Sequence, residues 1–344
     1  MLRGMLNTPA AVREWRAPSP ETFANEILNC GQPAVLRDVV GHWPAVRAGR
    51  ESPQAITRYL RAFDNGSSAH TMVAAPSVRG RFFYNEELNG LNFEVSQQPL
   101  ALSMQKFIEL LDVRDPPALY VGALPTPHAL PGFTRDNSLP LVAPGVVPRL
   151  WLSNRVTVQT HYDLSLNIAC VLAGRRRFTL FPPEQLPNLY VGPLEFTLAG
   201  QPISMVRLDE PDLDRFPRFR EAWQHAQSAE LEPGDALFIP YMWWHHVESL
   251  STFNVLLNYW WEDIPAWQGS PFEAMLHGLM SVRGLPPERR ELWRKIFDHY
   301  VFQTGGDPVA HLAPSQRGIQ GELTPQVAAT IRHYLMNAMG SRMR

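Results

Sequence analysis

The sequence predicts a mainly β fold with flanking helices, and three observations carry that prediction. Short strand-like runs recur with turn signals between residues 118 and 261. The 32 prolines, about twice the usual share of roughly 5%, are spread along the chain rather than clustered. Helical periodicity is confined to the two ends. Many short strands at regular spacing suit a sandwich or barrel, and proline is excluded from strand centres, so its even spread marks strand ends and turns.

The first 115 residues alternate short helices with isolated strands. Ser19 can cap a helix running to Asn29, with Pro20 in the first turn and Glu21 where the helix dipole favours an acid. Pro33 to Arg37 reads as an apolar strand, Ser52 to Phe63 as a capped helix, Arg81 to Tyr84 as an aromatic strand and Ser103 to Asp112 as an amphipathic helix. The central strands are expected at 118–121, 149–152, 156–161, 166–172, 177–181, 236–239 and 253–260. Between them, Glu184 to Gln227 is a long insertion of the kind that forms a substrate-facing wall or holds local helices. After Pro265, residues 270–282, 286–302 and 324–339 carry apolar side chains at three- and four-residue spacing. The chain therefore divides into an N-terminal α/β extension (1–117), a β core (118–264) and a C-terminal helical unit (265–344).

Composition narrows the class of function. Hydrophobic residues make up 45% and charged residues 19%, the balance of a globular protein with a large core. A net charge of −2 gives no footprint for a polyanion, which argues against nucleic acid as a partner. No apolar run approaches the roughly 18–20 residues of a membrane span, and the N-terminus has no secretory pattern. Cys30 and Cys170 lie far apart and read as buried, reduced thiols. Together these features predict a soluble, cytoplasmic protein.

The chemistry centres on Thr160-His161-Tyr162-Asp163. Residues two apart at a strand end project from one face, so His161 and Asp163 can meet one ion. A His-x-Asp triplet alone is weak evidence. The segment Trp243-Trp244-His245-His246-Val247-Glu248 offers a third ligand. Alternation places His245 with Val247 and His246 with Glu248, so His245 is the expected inward ligand. Two imidazoles and one carboxylate, with coordination positions left open, suit non-heme Fe(II); a closed zinc site would call for four ligands, usually with cysteine. In Arg175-Arg176-Arg177, alternation turns Arg176 away from its neighbours. If those two face solvent, Arg176 is interior and needs an anion, either an internal carboxylate or that of an oxoacid cosubstrate.

His161-Tyr162-Asp163, Asn167, Leu180-Phe181-Pro182-Pro183-Glu184, Gly234-Asp235, Ile239-Pro240, Trp243-Trp244-His245-His246 and Asn258-Tyr259-Trp260 together resemble the JmjC-type cupin-like oxygenases, and within them the asparaginyl hydroxylases. The likeness runs from about Pro33 to Trp261. It implies a double-stranded β-helix, or jelly roll, that uses Fe(II) as cofactor and consumes 2-oxoglutarate and dioxygen to hydroxylate a protein or peptide side chain. A small molecule or an RNA base is the alternative substrate, and a cupin metalloenzyme without 2-oxoglutarate the alternative reaction. His161, Asp163 and His245 match the facial triad. Asn167 and Asn258 match residues beside the chelating end of the cosubstrate, and Tyr120 matches a contact to its distal carboxylate. Trp260 and Tyr162 are expected in the pocket wall. Arg176 stands where the family's lysine is usual, and the two are not interchangeable. Val158 replaces a hydroxyl-bearing residue, leaving Thr157 or Thr160 as substitutes. The resemblance also implies a homodimer through the C-terminal helices, where Leu292, Ile296 and Phe297, then Val327, Ile331, Leu335 and Met339, form apolar stripes.

Overall fold

A computed structural model of the chain describes residues 7–198 and 200–341. Its described residues form fourteen strands. The first five, β1 (Ala10–Ala11), β2 (Arg13–Arg16), β3 (Ala34–Arg37), β4 (Ser68–Ala74) and β5 (Glu94–Pro99), come from the N-terminal stretch. Then follow β6 (Ala118–Pro125), β7 (Pro148–Ser153), β8 (Thr157–His161), β9 (Leu166–Ala173) and β10 (Arg176–Phe181). The last four are β11 (Gln227–Leu231), β12 (Ala236–Ile239), β13 (Trp244–Ser249) and β14 (Asn254–Trp261).

They build two sheets, in the orders β1-β11-β10-β13-β8 and β2-β3-β12-β9-β14-β7-β6-β4-β5. Consecutive strands switch sheets: β8 and β10 lie in the smaller sheet, β7 and β9 in the larger. This is the jelly-roll arrangement that the sequence resemblance implies. Residues read as an N-terminal extension supply β2 to β5, which widen the larger sheet at both edges.

The inner faces follow period two. Phe178, Leu180 and Val247 of the smaller sheet pack with Ala169, Val171, Leu237 and Leu256 of the larger. Each fully buried side chain of this size contributes about 1.5–3 kcal/mol. The larger sheet's other face rests on helices Pro44–Glu51, Pro53–Arg61 and Leu100–Glu109, through Val46, Ile56, Leu60, Met104 and Phe107. The turn between β9 and β10 depends on Gly174, whose φ of +74° is costly for other residues and whose Cβ would strike the Asn254 carboxamide and the Phe253 carbonyl. That turn sets the register of Arg176.

Several local expectations fail. The helix from Ser19 has its serine cap, since Ser19 Oγ accepts from Thr22 N, but it passes through a π turn at Phe23–Ile27 into a 3-10 turn at Leu28–Cys30. Arg81 to Tyr84 is not a strand; Arg81 and Tyr84 make only single bridges, to Thr157 and Leu91. Cys30 is exposed, while Cys170 is buried. The helices after residue 265 run Pro271–Ser281, Pro287–Tyr300 and Pro325–Ser341. They belong to a second compact unit, Asp263–Arg344, separate from the unit Met1–Glu262 that carries the sheets. Among the described residues no helix is long and apolar enough to cross a membrane.

Candidate functional site

His161 ends β8, Asp163 follows two residues later, and His245 lies on the neighbouring β13, directly opposite His161 in the ladder. Their candidate ligand atoms all lie within 4.8 Å of one another. The two imidazole rings are 4.2 Å apart, and His245 Nε2 lies 3.6 Å from Asp163 Oδ2. Each histidine is anchored in the same way. His161 Nδ1 is 2.8 Å from the Gln159 carbonyl, and His245 Nδ1 is 3.0 Å from the Trp243 carbonyl. A carbonyl can only accept, so Nδ1 carries the proton and Nε2 keeps a lone pair for a metal. Burial, and then the neighbouring His161, push the His245 pKa down to about 4. Neutral imidazole is the form a metal needs.

A bulge brings Val158 to the face that His161 occupies. Val247 pairs with Val158 while His245 pairs with His161, so two residues of β13 span three of β8. The extra residue lets Val158 and His161 line the same cavity despite their odd spacing. His246 turns to the other side, where its Nδ1 meets Thr160 Oγ1 at 3.3 Å and burial drives its pKa down to about 3.

The cavity, about 580 Å³, lies between the sheets. On the side facing the triad, β7, β14 and β9 present Trp151, Asn258, Trp260 and Asn167. Trp260 Nε1 donates to Asp163 Oδ2 at 3.0 Å, and Asn167 Nδ2 reaches the same oxygen at 3.5 Å. Asn258 donates to Asn167 Oδ1 at 3.3 Å and accepts from Trp151 Nε1 at 2.7 Å. The two asparagines thus sit in the cavity wall but spend their amides on a chain that ends at Asp163.

Arg176 lies on the same cavity and is 1% exposed. Arg177 pairs with Glu230 at 2.6 Å and Glu248 at 3.5 Å, and Arg175 pairs with Glu230 at 2.8 Å. Alternation across the three arginines therefore leaves only the middle one inside. Among the described residues, no carboxylate lies within ion-pair distance of Arg176. Its Nη2 makes one long contact, 3.5 Å to Ser153 Oγ, and its Nε has no partner. Burial lowers its pKa to about 10. Tyr120 also lines the cavity, and burial raises its pKa.

Two expected pocket residues lie elsewhere. Thr157 is not in the cavity wall: it pairs with Glu248 at the far end of β8, and its neighbour Val158 takes the inward place. Tyr162 faces away and packs edge-on against Trp244, ring centres 4.7 Å apart, in a cluster with Phe181 and Leu189. As the residue between two inward ligands, it must. The insertion after Glu184 forms a 3-10 turn at Pro183–Asn188 and a helix at Phe219–Gln224, and Leu198, Gln201 and Ile203 from it close one side of the cavity. Gln159, missed in the sequence, ties this insertion to β8 by donating to the Ser204 and Val206 carbonyls at 2.9 and 2.7 Å. Phe82 and Phe93 also line the cavity without any pattern that announces it.

A profile of the cupin-like domain matches residues 20–266. Over 104 residues the chain is 38% identical to "Lysine-specific demethylase JMJ31" of Arabidopsis thaliana, covering 30% of this chain and 18% of that protein. Over 96 residues it is 42% identical to "HSPB1-associated protein 1" of Homo sapiens, covering 28% and 19%. Over 107 residues it is 38% identical to "tRNA wybutosine-synthesizing protein 5" of Gallus gallus, covering 31% and 30%. The matched stretches thus span between about a fifth and a third of these relatives' own lengths.

Proposed function

The chain belongs to the cupin-like domain family, and on that premise we propose that it is an Fe(II)- and 2-oxoglutarate-dependent oxygenase that hydroxylates an unactivated C–H bond on a protein or peptide side chain. The observation that carries this reading is Arg176. A fully buried guanidinium with an unpartnered Nε, on the same cavity as a convergent His-Asp-His set, is costly unless an anion completes it. A dicarboxylate that also chelates a metal supplies that anion.

His161, Asp163 and His245 would hold the iron from one side, leaving its remaining positions toward the cavity. Arg176 would take the distal carboxylate with its planar fork, and Tyr120 would add its hydroxyl. Iron with 2-oxoglutarate and dioxygen supplies an oxidant strong enough for an unactivated C–H bond, releasing succinate and carbon dioxide. The protein's part is orientation and exclusion of water, so no side chain need act as a general base. Trp151, Phe82 and Phe93 provide the dry wall.

The relatives' names point to different substrates, a lysine side chain and a tRNA, and this cavity favours neither. Asp163 is the one carboxylate among its described lining residues, and Arg176 the one arginine or lysine. Once both are engaged, a cationic methyl-lysine or a phosphate has no ionic partner, and the net charge of −2 gives no pull on RNA. Met72, Phe82, Phe93 and Leu198 instead suit an uncharged side chain.

The test is 2-oxoglutarate turnover by the Fe(II)-loaded protein against proteome-derived peptides, read by a mass gain of one oxygen atom. Chelation should stop it and Fe(II) restore it. Turnover that survives His161→Ala would reject the reading. The exposed Leu292, Trp293, Ile296 and Phe302 of the C-terminal unit fit pairing with a second copy, which a monomeric mass by light scattering would refute.

A further inference from the structure

We propose that Trp260 is a positioning residue for the metal-binding carboxylate, holding Asp163 through its indole N–H, with a second support relayed from Trp151. The proposal rests on the reading of His161, Asp163 and His245 as a metal site.

The sequence treats Trp260 as cavity wall, yet its Nε1 lies 3.0 Å from Asp163 Oδ2. A carboxylate beside two imidazoles is free to rotate about its own side-chain bonds unless something fixes it. An indole N–H can only donate, so it selects one orientation of the carboxylate. The indole is itself held. Trp151 meets its ring edge-on at 5.6 Å, and the Arg149 guanidinium lies 5.9 Å from its ring centre.

The second support has a defined direction for the same reason. Trp151 Nε1 must donate, so Asn258 presents Oδ1 to it and Nδ2 to Asn167. Asn167 then presents its own Nδ2 to Asp163 Oδ2. The amide orientations follow from the donor-only end of the chain rather than from an arbitrary choice. Arg149, Trp151, Asn258, Trp260 and Asn167 share the inner face of three adjacent strands by period two and pairing, as Asn258↔Arg149 and Trp260↔Asn167. The larger sheet therefore orients a ligand that β8 of the smaller sheet delivers.

Partners of this kind behind metal ligands are worth about 10- to 100-fold in metal affinity. The test is Mn(II) binding to the full chain, followed by the free-ion electron paramagnetic resonance signal, with thermal midpoints of the metal-free proteins measured alongside. Trp260→Phe keeps an aromatic ring and removes the donor. It should weaken Mn(II) binding about 10- to 100-fold with the metal-free midpoint little changed, and Trp151→Phe should weaken it less. Benzothienylalanine at 260 keeps the bicyclic shape and lacks the N–H, so it gives the result even if Trp260→Phe folds poorly. Unchanged Mn(II) affinity in the benzothienylalanine protein overturns the positioning role. A wild-type chain that takes up no Mn(II) overturns the metal reading instead, and the proposal with it.

Discussion

The two ends of the cavity are finished to different degrees. At the triad, both Nδ1 atoms are bonded to backbone carbonyls, and Asp163 Oδ2 receives two donors. At the other end, Arg176 is more deeply buried than the triad, yet has one contact at 3.5 Å and an orphan Nε. Buried polar groups in folded proteins are nearly always satisfied. Of the four buried unpartnered side-chain atoms among the described residues, on Thr57, Gln159, Arg176 and Asn254, only that of Arg176 belongs to a charged group. The triad end is set before any ligand arrives. On the proposed reading, a ligand's carboxylate completes the arginine end.

The comparison can be broken most sharply at the triad. Asp163→Ala should reduce 2-oxoglutarate turnover to background and abolish Mn(II) uptake; retained turnover would mean that the triad is not the reaction centre.

At the other end, Arg176→Met should separate stability from function. Replacing a buried charge by a well-packed apolar side chain should stabilise the ligand-free protein by about 1–4 kcal/mol, read in denaturant melts. The same change should weaken 2-oxoglutarate binding roughly 10- to 150-fold, the worth of a charged hydrogen bond. A variant that is less stable and binds 2-oxoglutarate normally would show that Arg176 is a structural residue.

Acid should act first on the histidines. His245 and His246 are held down to about 4 and 3 by burial, against an ordinary value near 6.5. Between those values the unfolded chain binds more protons, so metal-free stability is full above pH 6.5 and falls as pH drops toward 4. Each group contributes up to about 1.4 kcal/mol per pH unit. His246→Asn should flatten the slope, and an unchanged slope would reject the assignment. The smallest effect is expected at Thr157. Thr157→Val, outside the cavity, should change stability by less than about 0.5 kcal/mol and leave the KM for 2-oxoglutarate unaltered.

How far each feature could be read in advance follows from whether its cause is local. The His161–Asp163 pairing, the inward turn of His245 and the burial of Arg176 all rest on strand alternation, and all three were legible. Thr157 enters only as a stand-in for the hydroxyl that the resemblance implies at Val158, and the β8 bulge that gives Val158 the inward place leaves no mark in the alternation pattern. Arg81 to Tyr84 has strand composition but no neighbour to pair with beyond single bridges, and pairing is decided by tertiary structure. The π turn at Phe23–Ile27 leaves no mark in the residue pattern either. Trp260 was found as a ring in a wall; its N–H bond to Asp163 joins residues 97 apart and depends on β14 lying beside β9.

The most direct test of the account is an anaerobic titration of the full chain with Fe(II) and 2-oxoglutarate, followed by visible absorption. A charge-transfer band should grow only when both are present, vanish in His161→Ala and demand much more 2-oxoglutarate in Arg176→Met. No band in the wild-type chain, or a band indifferent to both substitutions, would contradict it.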